Sequence, residues 1–324
     1  MQYPGLTARS PGAARQRDVP ATARRRRGPG RRGAGAGTCR ADRPRRWIMR
    51  PVTVNEPAIL APTEGTVLDL LDLEEIDRDL FRVRVVFDDV YALYGGQVAA
   101  QALLAAGRTV PEGRVPHSLH GYYLRLGDAS RPTIFRVDRD RDGRSFSARR
   151  VVAVQGGEVI FNMSASFHVP EKGTDIDAEP MPAAGPPETM IDYVFPRLFS
   201  FEGRTEKPVE PGEDFPTRCW ARCTAALPDD PLTHAVILTY LSDSMAGLAP
   251  FHTPTARSGS SLDHAVWFHR PIRLDEWVLM DHVPRTIAGG RGWYTGTIHT
   301  RDGRLGASLT QEALFRAPRE RSRR

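Results

Sequence analysis

Between Thr233 and Gly247 the chain reads THAVILTYLSDSMAG, an apolar stretch interrupted near its middle by one carboxylate, Asp243. Val236, Leu238, Tyr240 and Leu241 supply the bulk of a buried helix, and an unpaired acid inside it would be expensive. A second run of this kind, YALYGGQVAAQALLAAG, follows Val90. Its Ala and Gly residues suit a helix that other backbone approaches closely on nearly all sides. Alternating apolar and polar positions predict strands near 80–87, 117–126, 132–139, 144–155 and 158–169, and again near 219–227, 261–271, 276–285, 291–300 and 304–315. Gly127-Asp128, Asp142-Gly143 and Gly156-Gly157 are the turn chemistry between them. Ahead of the first strand, TVLDLLDLEEIDRDL predicts a short acidic amphipathic helix.

The two sets are related by one shift. Moving back 146 residues pairs Asp243 with Gln97, Tyr240 with Tyr94, Asp263 with His117, Phe268 with Tyr122 and Gly303 with Gly157. A period this long in two copies is a duplicated domain, because solenoid repeats recur every 20 to 50 residues and need three or more copies. The expected fold is α+β, in two similar halves at 61–170 and 217–316. Between them, 171–216 is a Pro-rich linker that should cross the surface; nine prolines fall between Pro170 and Pro216. At the shift Gln311 faces Ala165, so the first half lacks both the acid and the amide, and one site is expected rather than two.

Charge changes the picture only at the ends. Residues 1–50 carry 14 Arg against Asp18 and Asp42, so the net charge of +6 belongs to this tail and the rest of the chain is net acidic. Residues 1–60 are expected to be a disordered Arg-rich tail, with a translation start at Met49 as the simplest account of it and a nucleic-acid arm as the other. No nucleic acid is expected at the folded body, and 317–324 reads as a second charged tail. The N-terminus lacks an apolar segment after its charges, and no apolar run approaches a membrane span. Cys39, Cys219 and Cys223 fit a reducing compartment. A cytoplasmic protein is the expectation. Cys219 and Cys223, four apart on one strand, lie about 13 Å apart, too far for a disulfide.

Several patterns mislead. Asp138, Asp140, Asp142 and Gly143 open like a calcium loop, yet the twelfth position is Arg149 where a bidentate Glu is needed. His117 and His120 point to opposite faces of a strand. Ser258-Gly259-Ser260-Ser261 is Ser-rich without a nucleophile elbow. No metal is expected.

From about Val67 to Arg316 the chain resembles the acyl-CoA thioesterase II family of double-hotdog proteins. The resemblance is carried by Tyr94-Gly95-Gly96-Gln97-Val98, His117-Ser118-Leu119-His120, Tyr123-Leu124-Arg125 with Gly127-Asp128, and Arg141-Asp142-Gly143-Arg144-Ser145-Phe146-Ser147 with Arg149-Arg150-Val151. In the second half it rests on Leu241-Ser242-Asp243, Leu262-Asp263-His264, Trp267-Phe268-His269-Arg270-Pro271 and Gln311-Glu312. It implies two curved antiparallel sheets, each wrapped round a central helix and joined edge to edge. It also implies a hydrolase of fatty acyl-CoA that needs no cofactor and places Asp243, Ser261 and Gln311 around one water. Ser261 stands where the family usually has Thr, keeping the hydroxyl and losing the methyl. Backbone N–H groups near Gly95, Gly96 and Gln97 are the expected oxyanion and substrate contacts. A homo-oligomer acting in lipid metabolism is expected. Ser260 and His264 are expected to lie outside the site.

Two other readings use the same pocket. A hotdog binding protein would hold an acyl thioester without cleaving it. A hydratase or dehydratase on hydroxyacyl thioesters would need an Asp/His pair; Asp263 and His264, adjacent on a strand, point apart.

Overall fold

The alternating segments assemble into one antiparallel sheet. The computed structural model describes residues 58–60, 65–87, 92–196, 198–209, 215–244 and 246–317, which lie in one compact unit spanning Val54–Arg324. The expected tail, Met49 included, lies outside the described residues, except that Ala58–Leu60 forms a strand where the tail was expected to continue.

In chain order the first half contains β1 (Ala58–Leu60), α1 (Val67–Leu70), β2 (Leu73–Asp77), β3 (Leu80–Val83), β4 (Val85–Phe87), α2 (Gly95–Gly107), β5 (Val115–Tyr123), β6 (Ile134–Asp142), β7 (Phe146–Gln155) and β8 (Glu158–His168). The second contains β9 (Ile191–Tyr193), β10 (Phe201–Thr205), β11 (Arg218–Cys223), α3 (Pro231–Ser242), β12 (Arg257–Ser261), β13 (Asp263–Phe268), β14 (Val278–Ala288), β15 (Arg291–Thr300) and β16 (Leu305–Arg316). Strand order is β2-β3-β6-β7-β8-β5-β13-β16-β15-β14-β11-β10-β9, with β12 also on β16. β1 pairs in parallel with β4 outside this sheet. Among the described residues no helix is long and apolar enough to cross a membrane.

The halves meet where β5 pairs with β13, Leu119 opposite Val266 and His120 opposite Ala265. This seam makes the two sheets continuous. Residues 60–170 expressed alone would expose the β5 edge and its row of unpaired backbone groups, so size-exclusion chromatography should find dimers or aggregates. A stable monomer would contradict the dependence.

α2 and α3 lie side by side and antiparallel beneath the sheet. Gly96 of α2 meets the Tyr240 carbonyl near the end of α3, and Gly107 meets Leu232 near its start. The Tyr94 hydroxyl donates to the Tyr240 carbonyl at 3.0 Å. Both helices are buried on nearly every side, Ala99, Ala100, Ala102 and Leu103 of the first and Val236 to Leu238 of the second being fully enclosed. Asp230 caps α3 by accepting from the Thr233 N–H at 2.8 Å, with Pro231 following at a position that needs no donor.

The structure corrects three expectations. Only Val67–Leu70 of the acidic stretch is helical; LEEID forms β2 and folds back onto β3 through Asp79, whose φ of 59° lets the chain reverse. The linker is not merely a surface crossing, because it supplies β9 and β10, the edge strands beyond β11. The constant shift holds for the strands and for their turns, Gly157 and Gly303 both having positive φ, but not for the helices, whose starts at Gly95 and Pro231 are 136 positions apart. Extra residues between α3 and β13 absorb the difference. As the C-cap of its helix Asp243 therefore corresponds to Arg108, the C-cap of α2, and not to Gln97.

Candidate active site

Asp243 is the C-cap of α3, with φ −86° and ψ 29°, rather than a mid-helix residue. The residue is 2% exposed. Two neighbouring strands bring donors to it. Ser261 ends β12 opposite Ala313, just after a register shift that turns it toward the interior, and Gln311 lies two residues earlier on β16. Asp243 Oδ1 accepts from Gln311 Nε2 at 2.8 Å and from the Ser261 hydroxyl at 3.2 Å. Gln311 Nε2 also donates to Ser261 Oγ at 2.6 Å. The three residues named from the sequence thus form one hydrogen-bonded cluster.

The antiparallel helices complete the setting. Because the end of α3 meets the start of α2, the Asp243 carboxylate lies at an N-terminus contributed by the other half. A Cβ on Gly95 would stand 2.4 Å from Asp243 Oδ2, so only glycine admits this approach. Partial positive charge at a helix start favours a carboxylate there. Of the expected oxyanion contacts, Gly95 lines the adjoining cavity, whereas Gly96 and Gln97 do not. Gln97 is further set back, since its N–H already donates to the Tyr94 carbonyl at 3.1 Å.

The cavity has a volume of about 360 Å³ and runs from the Asp243 cluster between the halves. Its far wall is apolar and comes largely from the linker, with Phe195, Pro196, Leu198, Phe215 and Pro216. Proline-rich composition reads as surface chain and so hides this wall in the sequence; the aromatic residues among the prolines are the signal that points to it. Arg125, Gly259 and Ser260 also line the cavity, so Ser260 belongs to the site's walls.

Three tyrosines surround the carboxylate. Burial first, and the Asp243 charge next, hold the phenols of Tyr94, Tyr123 and Tyr294 well above the usual tyrosine range. His264 also belongs here, contrary to expectation. It is fully buried, its Nε2 lies 2.8 Å from Ser242 Oγ, and contact with Gln311 partly offsets the desolvation that pushes its pKa down to about 4. Asp263 points the other way, accepting the Glu312 N–H at 2.8 Å with His120 at 3.4 Å.

His282, a further cavity residue, is likewise pushed down to about 4 by burial. An unfolded histidine titrates near 6.5, so between about pH 6.5 and 4 the unfolded chain binds protons that the folded one refuses. Stability from both histidines is whole above 6.5 and is lost as the pH falls through that window. Urea unfolding should show a slope of up to about 1.4 kcal/mol per pH unit for each. His282→Gln should flatten the curve, and an unaltered slope would refute the assignment.

The remaining candidates are accounted for structurally. Asp142 pairs with Arg149 at 2.8 Å, and Asp138 and Asp140 face Arg150. Among the described residues no cluster has the makings of a metal site. Cys219 and Cys223 are buried free thiols, and Cys219 lies on the cavity wall.

Residues 87–168 match the family pattern described as "Acyl-CoA thioesterase N-terminal domain", and residues 173–315 match "Acyl-CoA thioesterase C-terminal domain". Acyl-CoA thioesterase 2 of Haemophilus influenzae is 34% identical over 282 residues, covering 78% of this chain and 97% of that protein. The solved acyl-CoA thioesterase II TesB2 from Mycobacterium marinum is similar at 40% identity and a TM-score of 0.66, over 78% of this chain and 97% of that one. A hot dog fold protein from Alicyclobacillus acidocaldarius aligns at 22% identity with a TM-score of 0.65, covering 78% and 98% of the two chains, a likeness of fold.

Proposed function

The chain belongs to the acyl-CoA thioesterase II family of thioester hydrolases, and we propose that it cleaves fatty acyl-CoA to the free acid and CoA with Asp243 as general base. The reading is carried by one observation: the buried Asp243 carboxylate, held by Gln311 and Ser261, stands at the head of an apolar cavity. The acyl chain occupies that cavity and its thioester carbonyl lies beside Asp243.

Water adds to the carbonyl carbon as Asp243 takes its proton, and the C=O pair moves onto oxygen. When that pair returns the C–S bond breaks and the departing thiolate recovers the proton. A thiol of pKa near 8.5, by analogy with cysteine, leaves without prior protonation, so one base and one oriented water suffice. In the structure Ser261 and Gln311 direct donors at the carboxylate. They orient the base and, through it, the attacking water. The Gly95 end of α2 faces the oxyanion. The reading includes a homo-oligomer in a fatty-acid pathway of the cytoplasm, with 61–170 and 217–316 as its two hotdog halves.

A series of acyl-CoAs from short to long chain, followed by thiol release, tests the activity. Turnover should be highest for chains that fill the cavity. Tight binding with no thiol released at any length would favour the acyl-thioester binding protein.

A further inference from the structure

The trio accounts for the water but leaves the adjoining cavity wall without assigned chemistry. There Tyr123 ends β5, and its ring lies against the start of α2. A Cβ on Gly95 would stand 3.0 Å from Tyr123 Cε1 and Cζ and 2.4 Å from Asp243 Oδ2, so the phenol and the carboxylate converge on one glycine. The Tyr123 hydroxyl is buried and has no hydrogen-bond partner among the described residues. Its neighbour Tyr94 is different, because that hydroxyl is spent on the Tyr240 carbonyl. Tyr294 also has an unpartnered hydroxyl, but it does not line the cavity. Leaving a phenol buried and unpaired is costly, a cost relieved when a ligand brings an acceptor to it.

We infer that the Tyr123 hydroxyl is a further catalytic residue, donating a hydrogen bond to the thioester carbonyl oxygen and to the oxyanion formed there as water adds. The inference rests on the proposed placement of the thioester beside Asp243. With Asp243 taking the proton of water, the carbonyl oxygen lies at the neighbouring position, between the Tyr123 phenol and the Gly95 end of α2, both of which stand beside the carboxylate. Burial, with the Asp243 charge adding to it, holds the phenol well above its usual pKa, so it keeps its proton. It therefore serves as a fixed donor while the proton of water passes to Asp243 and on to the departing thiolate. A donor already desolvated and positioned acts most strongly where charge develops in the transition state.

Tyr123→Phe removes only the hydroxyl. We expect kcat on acyl-CoA to fall roughly 10- to 10³-fold, with Tm unchanged or raised because an unpaired polar atom is gone. Two CoA analogues of equal chain length separate the hydroxyl's chemistry from cavity shape. A thioether lacking the carbonyl should bind wild type and Y123F alike. A trifluoromethyl ketone, whose hydrate mimics the tetrahedral intermediate, should bind Y123F at least about tenfold more weakly. A kcat within twofold of wild type, or equal loss of affinity for both analogues, would overturn the inference. Analogue binding needs no base. Selective loss of ketone affinity in Y123F beside a fully active D243N would therefore sink the Asp243 reading and leave Tyr123 standing.

Discussion

Asp243→Asn should lower kcat on acyl-CoA by on the order of 10² to 10⁴ while KM changes little. In barrier terms that is roughly 2.7–5.5 kcal/mol. The amide keeps the size of the carboxylate and can still accept from Gln311 Nε2 and Ser261 Oγ, so the fold should be untouched and Tm should confirm it. What disappears is the proton acceptor. Ser261→Ala and Gln311→Ala should each cost less, since each leaves the other of these two side chains on the base. Combining either with D243N should add little, because groups serving one water act as a unit. Ser261→Thr should remain active, the hydroxyl being retained. His264→Ala serves as a discriminator rather than a bystander. It removes a side chain packed against Ser242 and Gln311, so a moderate loss is expected through displacement of Gln311. D243N with intact kcat alongside an inactive His264→Ala would replace the Asp243 mechanism with one based on histidine.

The site and the fold were legible in the sequence to different depths, for physical reasons. Strands were placed well where alternation was strict, as in β7 and β8, because one side of each faces the buried helices and the pattern repeats every two residues. β2 was misread because LEEID carries only Leu73 as a buried residue, too few positions to distinguish a period of 2 from one of 3.6. Asp243 stood out as an acid among apolar neighbours, and that contrast survives in the structure. Its partners on other strands followed from the family resemblance alone, since no local pattern announces a contact between Asp243 and Gln311. The repeat was found from a shift that the strands obey. The same shift hid the antiparallel meeting of α3 with α2, and with it the reason for Gly95. Arg149 shows the opposite case, a residue noted in the sequence only as an Arg where a calcium loop needs Glu, whose actual work is invisible there.

Arg149→Ala should destabilise the protein by about 3–5 kcal/mol, read as a lower urea midpoint and a lower Tm. The Arg149 side chain is fully enclosed. Its Nε donates to Thr109 Oγ1 at 2.8 Å, and Nη2 donates to the Thr109 carbonyl at 2.9 Å and to Asp142 Oδ1 at 2.8 Å. Nη1 donates to the carbonyls of Arg141 and Ala148. One guanidinium thus ties the segment after α2 to the β6–β7 hairpin and leaves acceptors on both sides unsatisfied when it is removed. Arg149→Lys should restore little, because a single ammonium has three donors and no planar fork to reach these acceptors together. Asp142→Asn should cost much less, since that carboxylate is 38% exposed and water can replace what it loses. The acid side gives an independent check. The Ser147 hydroxyl, and then Arg149, holds the Asp142 carboxyl below its usual range. Its stabilising contribution is therefore present above the unfolded pKa near 3.8 and is lost as the pH falls below it. Arg149→Ala should shrink that acid-dependent component along with the total. A lysine variant as stable as wild type would show that charge alone, rather than the fork of donors, holds this corner of the sheet.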